Sequence, residues 1–399
     1  MDKIQNLGKE HLQPIREVVA RIRKHPKDKG YDFATKFHYY RSQPVLRLVT
    51  ETGKEVICTY NQPFLTKEGW ARADEILVGE RIRVMPKIPN IAKKLAPTNF
   101  IRLEKEFAAP LKEVAIPDKF TPELAALCGY VIGDGHVSKR GYSVNCYVND
   151  EETDLIGKLS ELWAKTFNAE PSIQVKNLNG SVKTIDDGNG LLRQIISTQK
   201  LHVLELNSRQ VAQSLSFLSD KRAPQQIFQS PKHVIAAFVS WLFEADGCAF
   251  GNGRGRTSIQ LKSSVAGLLK DVQLLLLYFG IQSRIIGNNL CIRRSHDMEL
   301  FAKRIGFNSE KKKAALLKVL ESAKGRNDKQ KRKLQRWEMV AEILPAGIRD
   351  VYDFEVPVTH SFVANGIVCH NSGKSALLKR VSAIAPKGRY VSGRGVSGA

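Results

Sequence analysis

The chain has 399 residues, with 62 Lys plus Arg against 40 Asp plus Glu and a formal charge of +22. That length suits two or three domains, and 42% hydrophobic with 26% charged residues excludes wholesale disorder, collagen and coiled coil. The apolar stretch 274–279 is far shorter than the ~20 residues of a membrane span, and the opening Met1-Asp2-Lys3-Ile4-Gln5 has no apolar signal region. The expectation is a soluble, intracellular, cytoplasmic chain. Cys58, Cys128, Cys146, Cys248, Cys291 and Cys369 stand singly, so neither a disulfide framework nor a zinc site is indicated. An isoelectric point near 9.7 points to a polyanionic partner, nucleic acid by default.

The first forty residues read as helix, with Ile15, Val18, Val19 and Ile22 at helical spacing, ending near His25-Pro26. Residues 45–50, the turn 51–54 and residues 55–59 form a β-hairpin pattern, and short β-like pieces continue to about residue 90. From Thr121 the pattern becomes α/β. Residues 124–132 make an apolar helix stopped by Gly133-Asp134-Gly135, then a strand at 142–148, then an amphipathic helix through Leu155, Leu159, Leu162 and Phe167. The same order returns about 110 residues later, an internal repeat. Its helix covers 234–243 and stops at Glu244-Ala245-Asp246-Gly247; a strand at 257–261 and a helix through Val265, Leu268, Leu269, Val272 and Leu275 follow, ending at Gly280. Residues 303–336 are rich in Lys and Arg, as in a solvated linker or a phosphate-contacting arm. Residues 349–368 are β-like again, and 372–399 are rich in Gly, Ser and Lys.

The two apolar helices carry small residues that allow close packing, which would bring Asp134 and Asp246 together at a pseudo-two-fold axis. Two acids there suit Mg²⁺ held against a phosphodiester. Leu127-Cys128-Gly129-Tyr130-Val131-Ile132-Gly133-Asp134-Gly135 and Val239-Ser240-Trp241-Leu242-Phe243-Glu244-Ala245-Asp246-Gly247 resemble the paired motifs of LAGLIDADG (dodecapeptide-type) homing endonucleases, over roughly 121–307. The resemblance implies a pseudo-symmetric, monomeric αββαββα nuclease whose sheets straddle double-stranded DNA, with Asp134 and Asp246 as metal-binding catalytic acids. It also implies a basic assistant at Lys221, within Ser219-Asp220-Lys221-Arg222-Ala223-Pro224. The motifs depart from the family pattern at Ile132, Gly133 and Glu244. The alternative is an inactive, DNA-binding relic.

Near the other end, Thr359-His360-Ser361-Phe362-Val363 and Asn365-Gly366-Ile367-Val368-Cys369-His370-Asn371-Ser372 suit self-cleavage. An Asn side-chain amide can attack its own carbonyl and cut the chain after itself if a neighbour protonates the leaving amine. His370 supplies that proton, His360 assists, and Ser372 offers an acyl-carrying hydroxyl. The run resembles the C-terminal splicing block of inteins. The hairpin that follows Gly53 resembles the intein block bearing Thr-x-x-His: Thr59 matches, while Gln62 occupies the histidine position. The chain opens at Met1, about where the segment after the intein nucleophile block would run. The expectation is therefore an intein truncated at its start, with a separately encoded N-terminal intein fragment as a candidate partner.

Gly373-Lys374-Ser375 is the end of a phosphate-binding loop, but Val368 stands where the loop's first Gly belongs. Residues 375–399 resemble the segment after the Walker A lysine in MCM replicative helicases. That resemblance implies a hexameric host using ATP and Mg²⁺ once excision places Ser372 inside the loop, and a nucleoid-associated location. The expected architecture is α+β. An all-β, Hint-type splicing domain (1–118 and 340–371) is split by the endonuclease (119–307) and a basic linker or arm (308–339), and the helicase fragment (372–399) follows.

Overall fold

A computed structural model describes residues 36–371 except 91, 104–112, 178–179, 181, 187–191, 197–199, 252–256, 325–335 and 357–358. The helix expected before residue 36 lies outside the described residues, as do Ser372, Gly373, Lys374 and Ser375; residues 36–40 are strand. The chain divides into two compact units, Met1–Met85 with Gln335–Ala399, and Pro86–Leu334.

In the first unit the described elements are β-strands. One segment supplies β1 (Lys36–Thr50), β2 (Glu55–Thr59), β3 (Pro63–Leu65), β4 (Trp70–Arg72) and β5 (Arg81–Arg83); the other supplies β16 (Trp337–Glu355), β17 (Ser361–Ala364) and β18 (Ile367–His370). The hairpin β1–β2 pairs Val45 with Thr59 and Val49 with Glu55, and Gly53 takes the left-handed turn position at φ +87°. The two segments interleave. β16 lies between β1 and β5, and β18 lies between β17 and β3, in two antiparallel four-stranded sheets. Alternate residues such as Leu46, Leu48, Val56, Phe64, Ile82, Val340 and Ile367 share one buried cluster. Lys54, also buried, pairs with Glu338 at 2.6 Å, the two side chains being 1% and 0% exposed, and Thr50 and Thr52 hydroxyls donate to the same carboxylate.

β5 and β16 also fix the place of insertion. Arg83 is paired with Trp337, and Val84 N–H donates to the Arg336 carbonyl at 2.9 Å, so the chain leaves and re-enters this unit at adjacent points. A long insert between such points strains nothing.

The second unit runs α1 (Pro122–Asp134), β6 (Gly135–Val137), β7 (Ser143–Asn149), α2 (Asp154–Phe167), β8 (Ser172–Asn177), β9 (Val182–Asp186), β10 (Leu192–Ile196), β11 (Lys200–Asn207) and α3 (Arg209–Ser214). It continues through α4 (Gln225–Phe228), α5 (Lys232–Asp246), β12 (Gly247–Gly251), β13 (Thr257–Lys262), α6 (Ala266–Leu277), β14 (Arg284–Ile286), β15 (Asn289–Ile292), α7 (Ser295–Arg304) and α8 (Glu310–Lys324). Each apolar helix therefore leads into an antiparallel hairpin and a second helix, as the repeat predicts. In α2 the buried stripe includes Trp163 in place of the expected Leu162, which is half-buried.

Two stretches pack with the second unit. Residues 86–118 belong with the second unit: Gln282 Nε2 donates to the Pro86 carbonyl at 2.6 Å and Ile88 N–H to the Leu277 carbonyl at 3.0 Å. The first compact unit thus ends at Met85, ahead of the expected bound at 118. Much of 308–339 is not a linker either, because α8 buries Leu316, Val319 and Ala323 at helical spacing.

Thr121 caps α1 by accepting from Leu124 N–H at 3.2 Å, with proline in the first turn. Further along, α1 and α5 touch backbone to backbone. A Cβ on Gly129 would lie 2.3 Å from the Phe238 carbonyl oxygen, and one on Gly133 would lie 2.4 Å from Ala245 Cβ. Tyr130 meets Trp241 edge-on at 5.8 Å beside this contact. Gly129→Ala is expected to destabilise the chain by about 1–3 kcal/mol through overpacking. Gly157→Ala, on the exposed face of α2 with open space around it, is expected to stabilise by about 0.5–1 kcal/mol. Urea unfolding of the two variants beside the parent checks the pair.

Candidate functional site

The helix contact delivers two carboxylates to one place. Asp134 is the last residue of α1 and Asp246 the last of α5, and Gly133 leaves room for Asp246 Oδ2 at 3.2 Å from where its Cβ would stand. Burial pushes the Asp134 carboxyl up to about 6, with the negative charge of Asp246 adding to the rise and Lys312 and Lys221 opposing it. Burial likewise raises Asp246, again opposed by Lys221 and Lys312. Two partly buried carboxylates that repel each other, with two ammonium groups nearby, make a hard-oxygen site that favours a divalent cation. Among the described residues no third His, Cys, Asp or Glu completes a metal cluster with them. Mg²⁺ fits this donor set if water and substrate supply the other oxygens.

Lys221 follows a short 3₁₀ turn and adopts a left-handed backbone at φ +48°. The next residue fixes it. The Arg222 guanidinium donates to Asp271 on α6 through Nε at 2.6 Å and Nη2 at 2.7 Å, and Ala223 N–H donates to the same carboxylate at 3.1 Å. Gly267 lies under that guanidinium, where a Cβ would come within 2.9 Å of it.

Lys312 is the site residue that sequence reasoning missed. The run Lys311-Lys312-Lys313 reads as a uniform basic patch, but a helix sends successive side chains about 100° apart. Lys311 pairs with Glu151 at 2.5 Å and Lys313 with Glu310 at 2.8 Å. Lys312 Nζ donates to the Glu244 carbonyl, and to that of Ala245 at 3.4 Å, capping the negative end of α5 next to Asp246. Glu244, only 1% exposed, secures the start of α8: it accepts from Asn308 N–H at 2.5 Å, Ser309 N–H at 3.1 Å and Ser309 Oγ at 2.6 Å. Ser309 Oγ in turn accepts from Lys312 N–H at 3.3 Å. The departure at Glu244 was the available signal. An acid at the buried position before Ala-Asp-Gly needs a partner.

In the first unit the residues 359–371 form a second constellation. β17 and β18 pair Ser361 with His370, turning through Asn365 and Gly366 at positive φ. Asn371 N–H donates to the His360 carbonyl at 2.8 Å, and Asn371 Nδ2 donates to the Val356 carbonyl at 3.0 Å. Asn371 Oδ1 is buried with no partner among the described residues. His370 Nδ1 lies 2.7 Å from the Asn371 carbonyl oxygen; a carbonyl only accepts, so Nδ1 carries the hydrogen. The His370 ring meets the Trp70 edge at 4.7 Å and lies 6.1 Å from the His360 ring. Gln62 Nε2 donates to the His370 carbonyl at 2.7 Å. Thr59 ends β2 opposite Val45, and its carbonyl accepts from Gln62 N–H at 3.0 Å.

The sequence profile of the intein splicing domain matches residues 6–371, nearly the whole chain, and the chain belongs to that family. It is 24% identical to the replicative DNA helicase DnaB of Rhodothermus marinus, over 83% of this chain and 40% of that one. It is 27% identical to the glutamine-fructose-6-phosphate aminotransferase of Methanocaldococcus jannaschii, over 54% of this chain and 19% of that one. The chain thus spans two fifths or less of the length of these relatives. Among solved structures it is similar to mesophilic variants of the homing endonuclease I-DmoI, at 17% identity and a TM-score of 0.32, over 47% of this chain and 91% of that one. Among the described residues no helix is long and apolar enough to cross a membrane.

The raised carboxyl gives a pH signature. Folded Asp134 holds its proton up to about pH 6 whereas an unfolded aspartate loses it near 3.8, so its contribution to stability is fully present below the lower value and is lost as pH rises through the upper one. Asp134→Asn removes this loss. In EDTA the variant's advantage over the parent is expected to widen by about 1 kcal/mol between pH 5 and pH 8. Parallel urea curves at the two pH values would contradict the coupling.

Proposed function

We propose that this intein carries a site-specific, Mg²⁺-dependent DNA endonuclease and severs its own chain after Asn371. The observation that carries the nuclease reading is the paired carboxylates at touching helix ends, between Lys221 and Lys312, in a chain of net charge +22. Asp134 and Asp246 would hold the cation, which when bound supplies positive charge to a phosphodiester undergoing hydrolysis. Lys221 and Lys312 stabilise the same developing charge. Across the sheet β12-β13-β15-β14, strand register places the exposed Cys248 and Arg284 and the half-buried Gln260 in one row, with the buried Cys291 between Gln260 and Arg284; the exposed part of that row suits base edges in a groove. Phosphate contacts by the Lys and Arg excess make binding fall steeply with salt.

The chain-cutting reading rests on His370 Nδ1–H facing the Asn371 carbonyl. In that step Asn371 Nδ2 loses one proton and bonds to its own carbonyl carbon, the peptide bond to Ser372 breaks, and the leaving amine takes up one proton, so the two transfers balance. Asn371 is left as a succinimide. The imidazole polarises the carbonyl as negative charge builds on its oxygen.

The matched relatives include a helicase and a sugar aminotransferase, so the similarity follows the inserted segment and says nothing of the host. The host reading rests on residues 372–399 alone, whose resemblance to MCM helicases favours a hexameric, ATP-dependent DNA helicase and a DNA target at the uninterrupted phosphate-loop codons. Incubation of the purified chain should release the peptide 372–399, seen by mass spectrometry, and Asn371→Ala should abolish the release. Asp134→Asn and Asp246→Asn should each abolish Mg²⁺-dependent cutting of DNA carrying those codons while leaving gel-shift binding intact. Retained cutting by either variant would remove the active-site assignment.

A further inference from the structure

Gln62 replaces a histidine of the intein pattern, and its side chain engages the C-terminal junction. Its backbone is fixed on both sides: the N–H donates to the Thr59 carbonyl at 3.0 Å, and the carbonyl accepts from Ala73 N–H at 2.9 Å. The residue is 9% exposed, and its amide nitrogen donates to the His370 carbonyl at 2.7 Å and the Pro63 carbonyl at 3.2 Å. Both amide hydrogens are thus engaged. The peptide unit joining His370 to Asn371 is pinned at both ends, its carbonyl by Gln62 and its N–H by the His360 carbonyl.

We infer that Gln62 is a positioning residue for C-terminal cleavage, clamping the His370–Asn371 peptide so that Asn371 and the His370 imidazole keep their reactive geometry. The inference rests on the Asn cyclisation proposed above. A primary amide does not titrate in the working range, so Gln62 exchanges no proton with the reaction and acts on the junction only through its hydrogen bond to the His370 carbonyl. Misplacement of the reacting atoms by about 1 Å can cost about a hundredfold in an intramolecular attack.

Gln62→Glu keeps the shape and removes the donor, except when its carboxyl is protonated and regains an O–H. Release of 372–399 is therefore expected to be about tenfold slower than in the parent at pH 8, the effect of one lost buried hydrogen bond. The variant-to-parent rate ratio should recover as pH falls through the carboxyl's titration, with melting temperatures matched. A loss of packing alone would give no such recovery. Parental rates at pH 8 in both Gln62→Glu and Gln62→Ala, or a ratio independent of pH, would overturn the clamp. If the parent itself releases nothing, the cyclisation reading fails separately, and the clamp is decided by hydrogen exchange. Asn371 N–H should then exchange about tenfold faster in Gln62→Glu at pH 8, and unchanged exchange would overturn it.

Discussion

The second unit depends on one contact, the backbone-to-backbone approach of α1 and α5. Helices normally pack with axes 8–10 Å apart because side chains intervene. Here glycine at 129 and 133 removes the side chain where the partner's carbonyl and Cβ arrive. Bringing the helices this close also brings their C-terminal ends together, and each ends in an aspartate. Packing and chemistry therefore have the same cause. Any side chain that spread the helices would also separate the carboxylates, so the glycines matter to the site through packing alone.

The charges around the acid pair are arranged with equal economy. Neither lysine is held by a carboxylate of the pair. Lys221 is placed by the Arg222–Asp271 pair beside it, and Lys312 by Glu244, which caps the helix that carries it. The buried acids Glu244 and Asp271 accept several hydrogen bonds each, so their desolvation is offset locally. Among the described residues the carboxylates at 134 and 246 have no comparable set of donors, and burial raises both. That difference separates acids that hold neighbouring segments in place from acids whose burial is not offset in the same way.

The first unit solves a different problem with the same means. Both of its sheets draw strands from both segments, so neither segment has a complete core alone. Pairing Arg83 with Trp337 brings the ends of the insert together, and the insert can then fold as a separate compact unit. Interleaving also brings Gln62, from the first segment, to the last residues of the second.

The sequence by itself determined the repeated apolar helices, their Asp-Gly ends, the first hairpin and the His-Asn run, because each is set by local periodicity, turn chemistry or adjacent residues. Only the tertiary structure decided the rest. Residues 86–90 fit the β-like pattern of the preceding segment, yet they dock on Leu277 and its surroundings, a long-range contact that no local pattern encodes. Lys312 was indistinguishable from Lys311 and Lys313 until α8 had a docked face. Glu244 was legible as a departure but not as a cap, because its partners lie more than sixty residues away. Gln62 was legible as a missing histidine, while the carbonyl it holds belongs to a strand at the far end of the chain, joined only when β18 pairs with β3.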